Sequence, residues 1–513
     1  MWSNIATKRN ICWRDCAMHD FLNSTSHHSQ EIVVADEYQS WTKHDFQQQC
    51  EVLVEHLSTL DGACVAFHMD NSPAWIALDL ALSECNKIAL PLPLFFTQAQ
   101  CEHALSESGA SWLISEAVLQ LYPHSKTISV CGRQLHVYRL NGKATGYFAG
   151  TRKITFTSGS TGSPKGVCLS QATMMQVAHS LSQRLDLEKP RHLCLLPLAV
   201  LLENIAGVYA PLLSCGQIFA PSLHSLGYQG SQLQAPDKLL ACISDFEPNT
   251  LILVPELLQL LVHACSQGWQ PPSSLRFIAV GGARVDSYLL AQAIAFGLPV
   301  YQGYGLSEAG SVVALNTADG KLTGVGEVLP HLEYKIEHGQ LYLRGPLYLG
   351  YLNGAQHNPE SWLATEDLAK QDTTGLVIHG RHKNQLILSN GRNVSPEWPE
   401  ALLLSHCGVL QAIVFGEARA HLVALIYASS QLSDSQLTKL VTQTNSLLPD
   451  YARVDSWHRL EHPLSVQAEL LTSNGRPRRD AIARHYQTEL TALYQTYTEE
   501  QALQPQIRLE KSI

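Results

Sequence analysis

Apolar strand-like runs that alternate with longer amphipathic stretches predict an α/β fold for this 513-residue chain. The expected architecture is a large N-terminal domain, residues 1–380, with mainly parallel sheets packed by helices plus a small antiparallel subdomain. A small, mobile α+β C-terminal domain, residues 381–513, follows. Two observations carry this prediction: strand–helix alternation repeats as far as residue 280, and the pattern changes character after about residue 320.

In chain order, Ala63–His68 reads as a buried strand, and Ser72–Asn86 as a helix with apolar positions at Trp75, Ile76, Leu78, Leu80, Ala81 and Leu82. Ile88–Leu92, Trp112–Ser115, His192–Leu196, Thr250–Val254 and Phe277–Val280 read as further strands, with a helix at Pro255–Ser266. Beyond residue 320, Tyr334–Ile336, Gln340–Arg344 and Leu376–His379 are short strands separated by turns at Gly339, Gly345 and Gly375, which suggests antiparallel pairing. The last block offers a helix at Glu397–Ser405, strands at Leu410–Phe415 and His421–Tyr427, and helices at Ser435–Leu447 and Asp480–Tyr497. A tight hinge is expected near Gly380–Asn384.

Composition narrows the function classes. Hydrophobic residues make up 45% and charged residues 16%, material for a large core. A net charge of -10 without a long Lys/Arg run argues against nucleic-acid binding, which needs clustered cations. Thirteen cysteines without a C-x-x-C pair fit a reducing compartment. Cys12, Cys16 and His19 are the nearest approach to a metal pattern, and an N-terminal segment that happens to hold thiols is the preferred reading. The first thirty residues have no apolar core of a signal peptide, and no uncharged apolar run reaches about 20 residues, so a cytoplasmic protein without a membrane span is expected.

The chemistry concentrates between Thr157 and Val167. Four hydroxyls (Thr157, Ser158, Ser160, Thr161), the glycines Gly159, Gly162 and Gly166, and Lys165 fall within ten residues after an apolar lead-in. Hydroxyls and backbone N–H groups in such a loop converge on anionic oxygens, glycine permits close approach, and a Lys adds a point charge. The order Lys165-Gly166 excludes a Walker loop.

Thr157-Ser-Gly-Ser-Thr-Gly-Ser-Pro-Lys-Gly166 resembles the signature loop of the adenylate-forming, AMP-binding superfamily, and other motifs of that superfamily follow in order from about residue 40 to 490. The resemblance implies ATP and Mg²⁺ as cofactors and assigns Gly281, Gly282 and Ala283, with Tyr304, Gly305 and Ser307 of Tyr301–Glu308, to the nucleotide. Tyr304 would stack on adenine, Ser307 would meet the α-phosphate and Glu308 would hold Mg²⁺. Thr365–Leu368 resembles a motif whose Asp, here Asp367, takes the ribose hydroxyls, with Glu366 where Gly is usual. Arg381 is a second ribose contact, Lys383 the pivot, Asn384 stands where an acid is common, and Gly391 would line the thiol channel.

Leu196–Glu203 and Leu470–Asp480 resemble segments of long-chain fatty acyl-CoA synthetases. The first would place Val200, Leu201 and Leu202 on the acyl pocket, with Val200 where His is usual. The second carries Arg476 at the position of a catalytic Lys, and no Lys occurs between Lys439 and Lys511. Arg476 either neutralises the carboxylate and α-phosphate or sits in a solvated basic cluster with Arg478 and Arg479. The implied activity is an acid–thiol ligase: a fatty or other apolar acid becomes an acyl-adenylate with loss of pyrophosphate, and then passes to CoA. Alternatives are loading of a carrier protein, amide or lactone formation, or an impaired nucleotide- or acyl-binding homologue.

Overall fold

The computed structural model describes residues 30–495 apart from 143–145, 158–163, 231, 284, 286, 318–323, 374, 382–383, 390–391 and 473–474. An eight-stranded sheet is centred on Cys64–His68, which pairs in parallel with Ile88–Pro91 and Trp112–Ser115; Thr151–Thr157 continues the parallel run beside Ile88–Pro91. Both edges turn antiparallel: His124–Val130 and Arg133–Arg139 on one side, Lys165–Ser170 and Gly350–Tyr351 on the other. A nine-stranded sheet holds Gln217–Phe219, Arg191–Leu193, Thr250–Leu253, Phe277–Val280 and Val300–Tyr304 in parallel, again with antiparallel edges. The predicted parallel character is thus correct for the middle of each sheet. The edge hairpin His124–Val130/Arg133–Arg139 escaped the sequence reading because its exposed positions are polar.

Local chemistry explains the connecting helices. Pro73–Glu84 starts with Pro in its first turn, and its N-cap Ser72 accepts from the Trp75 N–H at 3.2 Å. Every residue from Pro73 to Leu82 is buried, and all but Asp79 are apolar. Gln98–Ser108 and Asp434–Ser446 both begin with a capping box, Thr97/Gln100 and Ser433/Gln436.

Four antiparallel strands, Glu333–Glu337, Gln340–Arg344, Leu363–Asp372 and Gly375–Arg381, form the expected subdomain. After it, Val409–Phe415, Leu422–Ala428 and Val454–Arg459 form a three-stranded sheet. Its alternation is strict. Leu422, Ala424 and Ile426 face one core with Leu402 and Leu437, whereas Val423 and Leu425 face another with Ile482 and Leu490. The predicted helix Asp480–Tyr497 begins at Arg479 but breaks at Tyr486: Arg479–His485 is followed by a separate helical stretch over 487–495. Among the described residues no helix is long and apolar enough to cross a membrane.

One charged network lies inside the core. Lys153 Nζ is 2.8 Å from Asp79 Oδ1 and 3.2 Å from the Tyr209 hydroxyl, and it also contacts Asn204 Oδ1. Burial of all partners makes the loss of one expensive. Lys153→Met is therefore expected to lower unfolding free energy by about 3–5 kcal/mol in denaturant titration, since it strands the Asp79 carboxylate. A loss under about 1 kcal/mol would show that the network is not what ties Thr151–Thr157 to the segment carrying Tyr209.

Candidate active site

The strands on either side of the predicted phosphate loop pair antiparallel. Thr151–Thr157 and Lys165–Ser170 pair so that Thr157 faces Lys165. Ser158, Gly159, Ser160, Thr161 and Gly162 lie outside the described residues, as do the pivot Lys383 and the channel residue Gly391. Lys165 is exposed at the start of the return strand.

Two further backbone turns follow adjacent strands of the nine-stranded sheet. Phe277–Val280 and Val300–Tyr304 are adjacent parallel strands, and their C-terminal ends run into Gly281-Gly282-Ala283 and Gly305–Ser307 respectively. Open α/β sheets bind ligands at such carboxyl ends. Gly305 is sterically required there, Gly281 is tightly placed, and Gly282 is favoured by its backbone conformation. A Cβ on Gly305 would overlap the Ser311 carbonyl oxygen, and one on Gly281 would come within 3.3 Å of the Gly303 carbonyl oxygen. Gly282 has φ +84°, in the left-handed region. Ser307 opens the 3-10 turn Ser307–Ala309, and Tyr348 N–H donates to the Glu308 carbonyl at 2.7 Å. The Glu308 carboxylate accepts from the Tyr351 hydroxyl at 2.6 Å.

Asp367 joins the strands. It is 4% exposed, accepts the Tyr304 hydroxyl on Oδ2, and accepts Arg381 Nε on Oδ1 at 3.0 Å. Its backbone N–H donates to Thr365 Oγ1, whose own hydroxyl donates to the Leu341 carbonyl. Burial raises the Asp367 carboxyl above its ordinary range, against the pull of Arg381 and the Tyr304 hydrogen bond. Burial and the Asp367 charge hold the Tyr304 phenol well above its usual range, so it remains a donor. Glu366 adopts φ +62° in spite of its side chain, so the backbone that a Gly would take is kept at a conformational cost of about 1–2 kcal/mol. Asn384, where an acid was expected, donates to Glu397 Oε1 at 2.6 Å.

Arg476 enters from the C-terminal region on a tight turn: Thr472 N–H donates to the Arg476 carbonyl, and Arg476 N–H donates to Thr472 Oγ1. Its Nη2 donates to the Gly282 carbonyl at 3.3 Å. The side chain is open to solvent by area but flanked by both walls of the cleft. Desolvation and then the Arg381 charge pull its guanidinium below its ordinary value, opposed by Asp367, Glu308 and Tyr304. A guanidinium stays protonated regardless. The sequence left open a single solvated cluster with Arg478 and Arg479, and the structure separates Arg479 from Arg476. Arg479 turns inward to Glu400 Oε2 at 2.7 Å and to the Val414 carbonyl.

The segment expected to shape the acyl pocket leaves the strand Arg191–Leu193 and runs into a π-helix, Glu203–Tyr209, a form enriched at functional sites and not foreseen from sequence. Leu201 is buried, Val200 and Leu202 half-buried. Asn71 clamps the entry, with its amide donating to the Leu196 carbonyl and accepting from Leu198 N–H. His192, Cys194 and Glu203 bring three donor atoms within 4.8 Å of one another. Both His192 nitrogens already have partners, Glu203 Oε1 at 2.7 Å and Thr250 Oγ1 at 3.0 Å, so the trio reads as a polar clamp between strand and π-helix. Gly207 leaves room for it: a Cβ there would lie 2.6 Å from both Glu203 Oε1 and His192 Nε2.

Residues 21–352 match the family model described as AMP-binding enzyme, and residues 383–498 match that of the AMP-binding enzyme C-terminal domain. The chain belongs to the AMP-binding enzyme family. It is 29% identical to the 2-succinylbenzoate–CoA ligase of Haemophilus influenzae over 56% of this chain and 62% of that protein, less than two thirds of the relative's length. It is 26% identical to the ligase of the same name from Bacillus pumilus over 75% of this chain and 82% of the relative. The fold matches that of o-succinylbenzoate CoA synthetase from Bacillus subtilis in complex with its acyl-adenylate, with TM-score 0.72 and 21% identity over 90% of this chain and 96% of that one. These relatives are named for an aromatic acid, and the expected kinship to long-chain fatty acyl-CoA synthetases draws no support from them.

Two substitutions probe the geometry. Gly305→Ala is expected to displace the 304–312 turn and abolish ATP binding measured by calorimetry; unchanged affinity would remove this turn from the nucleotide site. Gly207→Ala is expected to break the His192–Glu203 pair and cost about 1–3 kcal/mol of stability in chemical unfolding.

Proposed function

We propose that this AMP-binding family member is an AMP-forming acid–thiol ligase: it activates an aromatic or other apolar carboxylic acid with ATP and passes the acyl group to CoA. The observation that carries this reading is convergence. Lys165, Glu308, the Tyr304–Asp367–Arg381 group and Arg476 all face one cleft at the carboxyl ends of the parallel strands.

ATP, Mg²⁺ and CoA are the cofactors and co-substrate that fit this family. The half-buried carboxylate of Glu308 on the cleft wall suits Mg²⁺, which takes one or two carboxylates plus phosphate oxygens. When bound, the ion supplies charge neutralisation on those oxygens. The protein's own groups then divide the work. Asp367 and Arg381 take the ribose hydroxyls, Tyr304 lies along adenine, and Thr157, Ser158, Gly159, Ser160, Thr161, Gly162 and Lys165 hold the outer phosphates. Arg476 neutralises the substrate carboxylate and the α-phosphate as they are brought together. A carboxylate oxygen attacks the α-phosphorus and pyrophosphate leaves; a thiolate then attacks the acyl carbon and AMP leaves. Positioning and charge stabilisation supply the acceleration. Residues 381–513 act in this scheme as a cap turning about Lys383, with Gly391 on the thiol path.

The acid is the finer question. The relatives' names direct attention to 2-succinylbenzoate, a diacid. The segment Leu196–Tyr209 contains no Lys or Arg. Lys153, which reaches Asn204 and Tyr209 on the π-helix, is already paired with Asp79. A second carboxylate on the acid would therefore need a cation from outside this segment.

Acid-dependent ATP–pyrophosphate exchange, with 2-succinylbenzoate, monocarboxylic aromatic acids and C2 to C18 fatty acids, tests this reading. Exchange is expected to be stronger with aromatic acids than with fatty acids, and CoA should convert the product to a thioester. Exchange with none of them, despite ATP binding, would favour a binding protein; thioester-free turnover would favour carrier loading or amide formation. Within the same assay, Arg476→Ala is expected to lose on the order of 100-fold or more and Arg476→Lys to retain activity. No loss in Arg476→Ala would remove Arg476 from the chemistry.

A further inference from the structure

Tyr351 belongs to none of the motifs that assign the cleft, yet it touches two of its charged groups. It lies on the edge strand Gly350–Tyr351, antiparallel to Lys165–Ser170, with Tyr351 opposite Val167. Side chains alternate along a strand, so Lys165 and Val167 share a face, and Tyr351 projects from the same face beside them. Lys165 Nζ sits 5.3 Å from the centroid of the Tyr351 ring, within cation–π range. At the other end of the ring, the hydroxyl donates to Glu308 Oε1 at 2.6 Å. The arrangement is braced by Tyr348, whose ring meets Tyr351 edge-on at 5.1 Å and whose N–H holds the Glu308 carbonyl. Leu352 N–H bonds the Gly166 carbonyl at 2.7 Å, which locks the strand beside the phosphate hairpin.

On the proposed-function reading, Lys165 meets the outer phosphates and Glu308 meets Mg²⁺, and both side chains are long and rotamer-rich. Left free, each would lose rotamer entropy on meeting its ligand. We propose that Tyr351 is a positioning residue that orders both groups before nucleotide arrives, through its ring for Lys165 and its hydroxyl for Glu308. One phenol hydrogen bond uses only part of the acceptor capacity of a carboxylate, so Glu308 keeps lone pairs for a cation.

Two variants separate the two ends. Tyr351→Phe keeps the ring and removes the hydroxyl; Tyr351→Leu removes both. ATP affinity is measured by calorimetry across a Mg²⁺ series and in EDTA, alongside pyrophosphate exchange and thermal melting. Tyr351→Phe is expected to need about tenfold more Mg²⁺ for half-maximal ATP binding, with affinity in EDTA and KM for the acid unchanged. Tyr351→Leu should also weaken ATP about threefold in EDTA. In a Glu308→Gln background, Tyr351→Phe should leave the Mg²⁺ dependence where that background puts it, a result that a general packing defect would not give. A Mg²⁺ dependence of Tyr351→Phe identical to wild type overturns this inference alone, as does an equal further shift in the Glu308→Gln background. A wild-type protein that binds no ATP at any Mg²⁺ concentration overturns the proposed function as well.

Discussion

The cleft depends on a buried carboxylate. Asp367 is nearly closed to solvent, and an isolated anion there would be costly. It is tolerated because Tyr304 and Arg381 reach it from different segments. Tyr304 ends a strand of the nine-stranded sheet, Asp367 lies on the antiparallel subdomain, and Arg381 is where the chain leaves that subdomain for its last 130-odd residues. One carboxylate therefore ties the end of that strand to the point where the chain leaves the subdomain. The left-handed Glu366 next to it shows how tightly the backbone is held, since only surrounding structure sustains such a conformation outside glycine.

Across the cleft, Arg476 is a late addition in sequence and a near neighbour in space. Its contact with the Gly282 carbonyl is made 194 residues away along the chain. Further along the same seam, Gln259 Nε2 donates to the carbonyls of Leu404 and His406. A planar guanidinium reaches farther and forks, whereas an ammonium is a compact point charge, so Arg at this position changes how charge is delivered without changing its sign. The Arg381 charge acts against the Arg476 guanidinium, and Asp367, Glu308 and Tyr304 oppose it.

Periodicity made the fold legible wherever burial dictates it. Trp112–Ser115, Pro255–Ser266, Phe277–Val280 and Gln340–Arg344 fall at their predicted bounds, because the flanking turn residues and the apolar runs agree. The break at Tyr486 and the π-helix at Glu203–Tyr209 were not legible, since an extra residue in a helical turn leaves no mark in composition. In the cleft, Tyr304, Glu308, Asp367, Arg381 and Arg476 were found by motif order and then met in space. Tyr351 and Asn71 were missed: each acts through a contact that crosses from one element to another, and nothing in its local sequence announces it. The aromatic acid in the proposed reaction was suggested by the relatives' names, because a pocket is built from loops that a single sequence cannot assemble.

The most direct test of AMP-forming chemistry is the identity of the nucleotide product when the protein, ATP, Mg²⁺ and an accepted acid are mixed without CoA and the mixture is quenched in acid. Acyl-adenylate or AMP with one equivalent of pyrophosphate is the predicted result. ADP with inorganic phosphate would contradict it, since attack would then have fallen on the γ-phosphorus, away from the groups that Arg476 and Asp367 bring to the cleft.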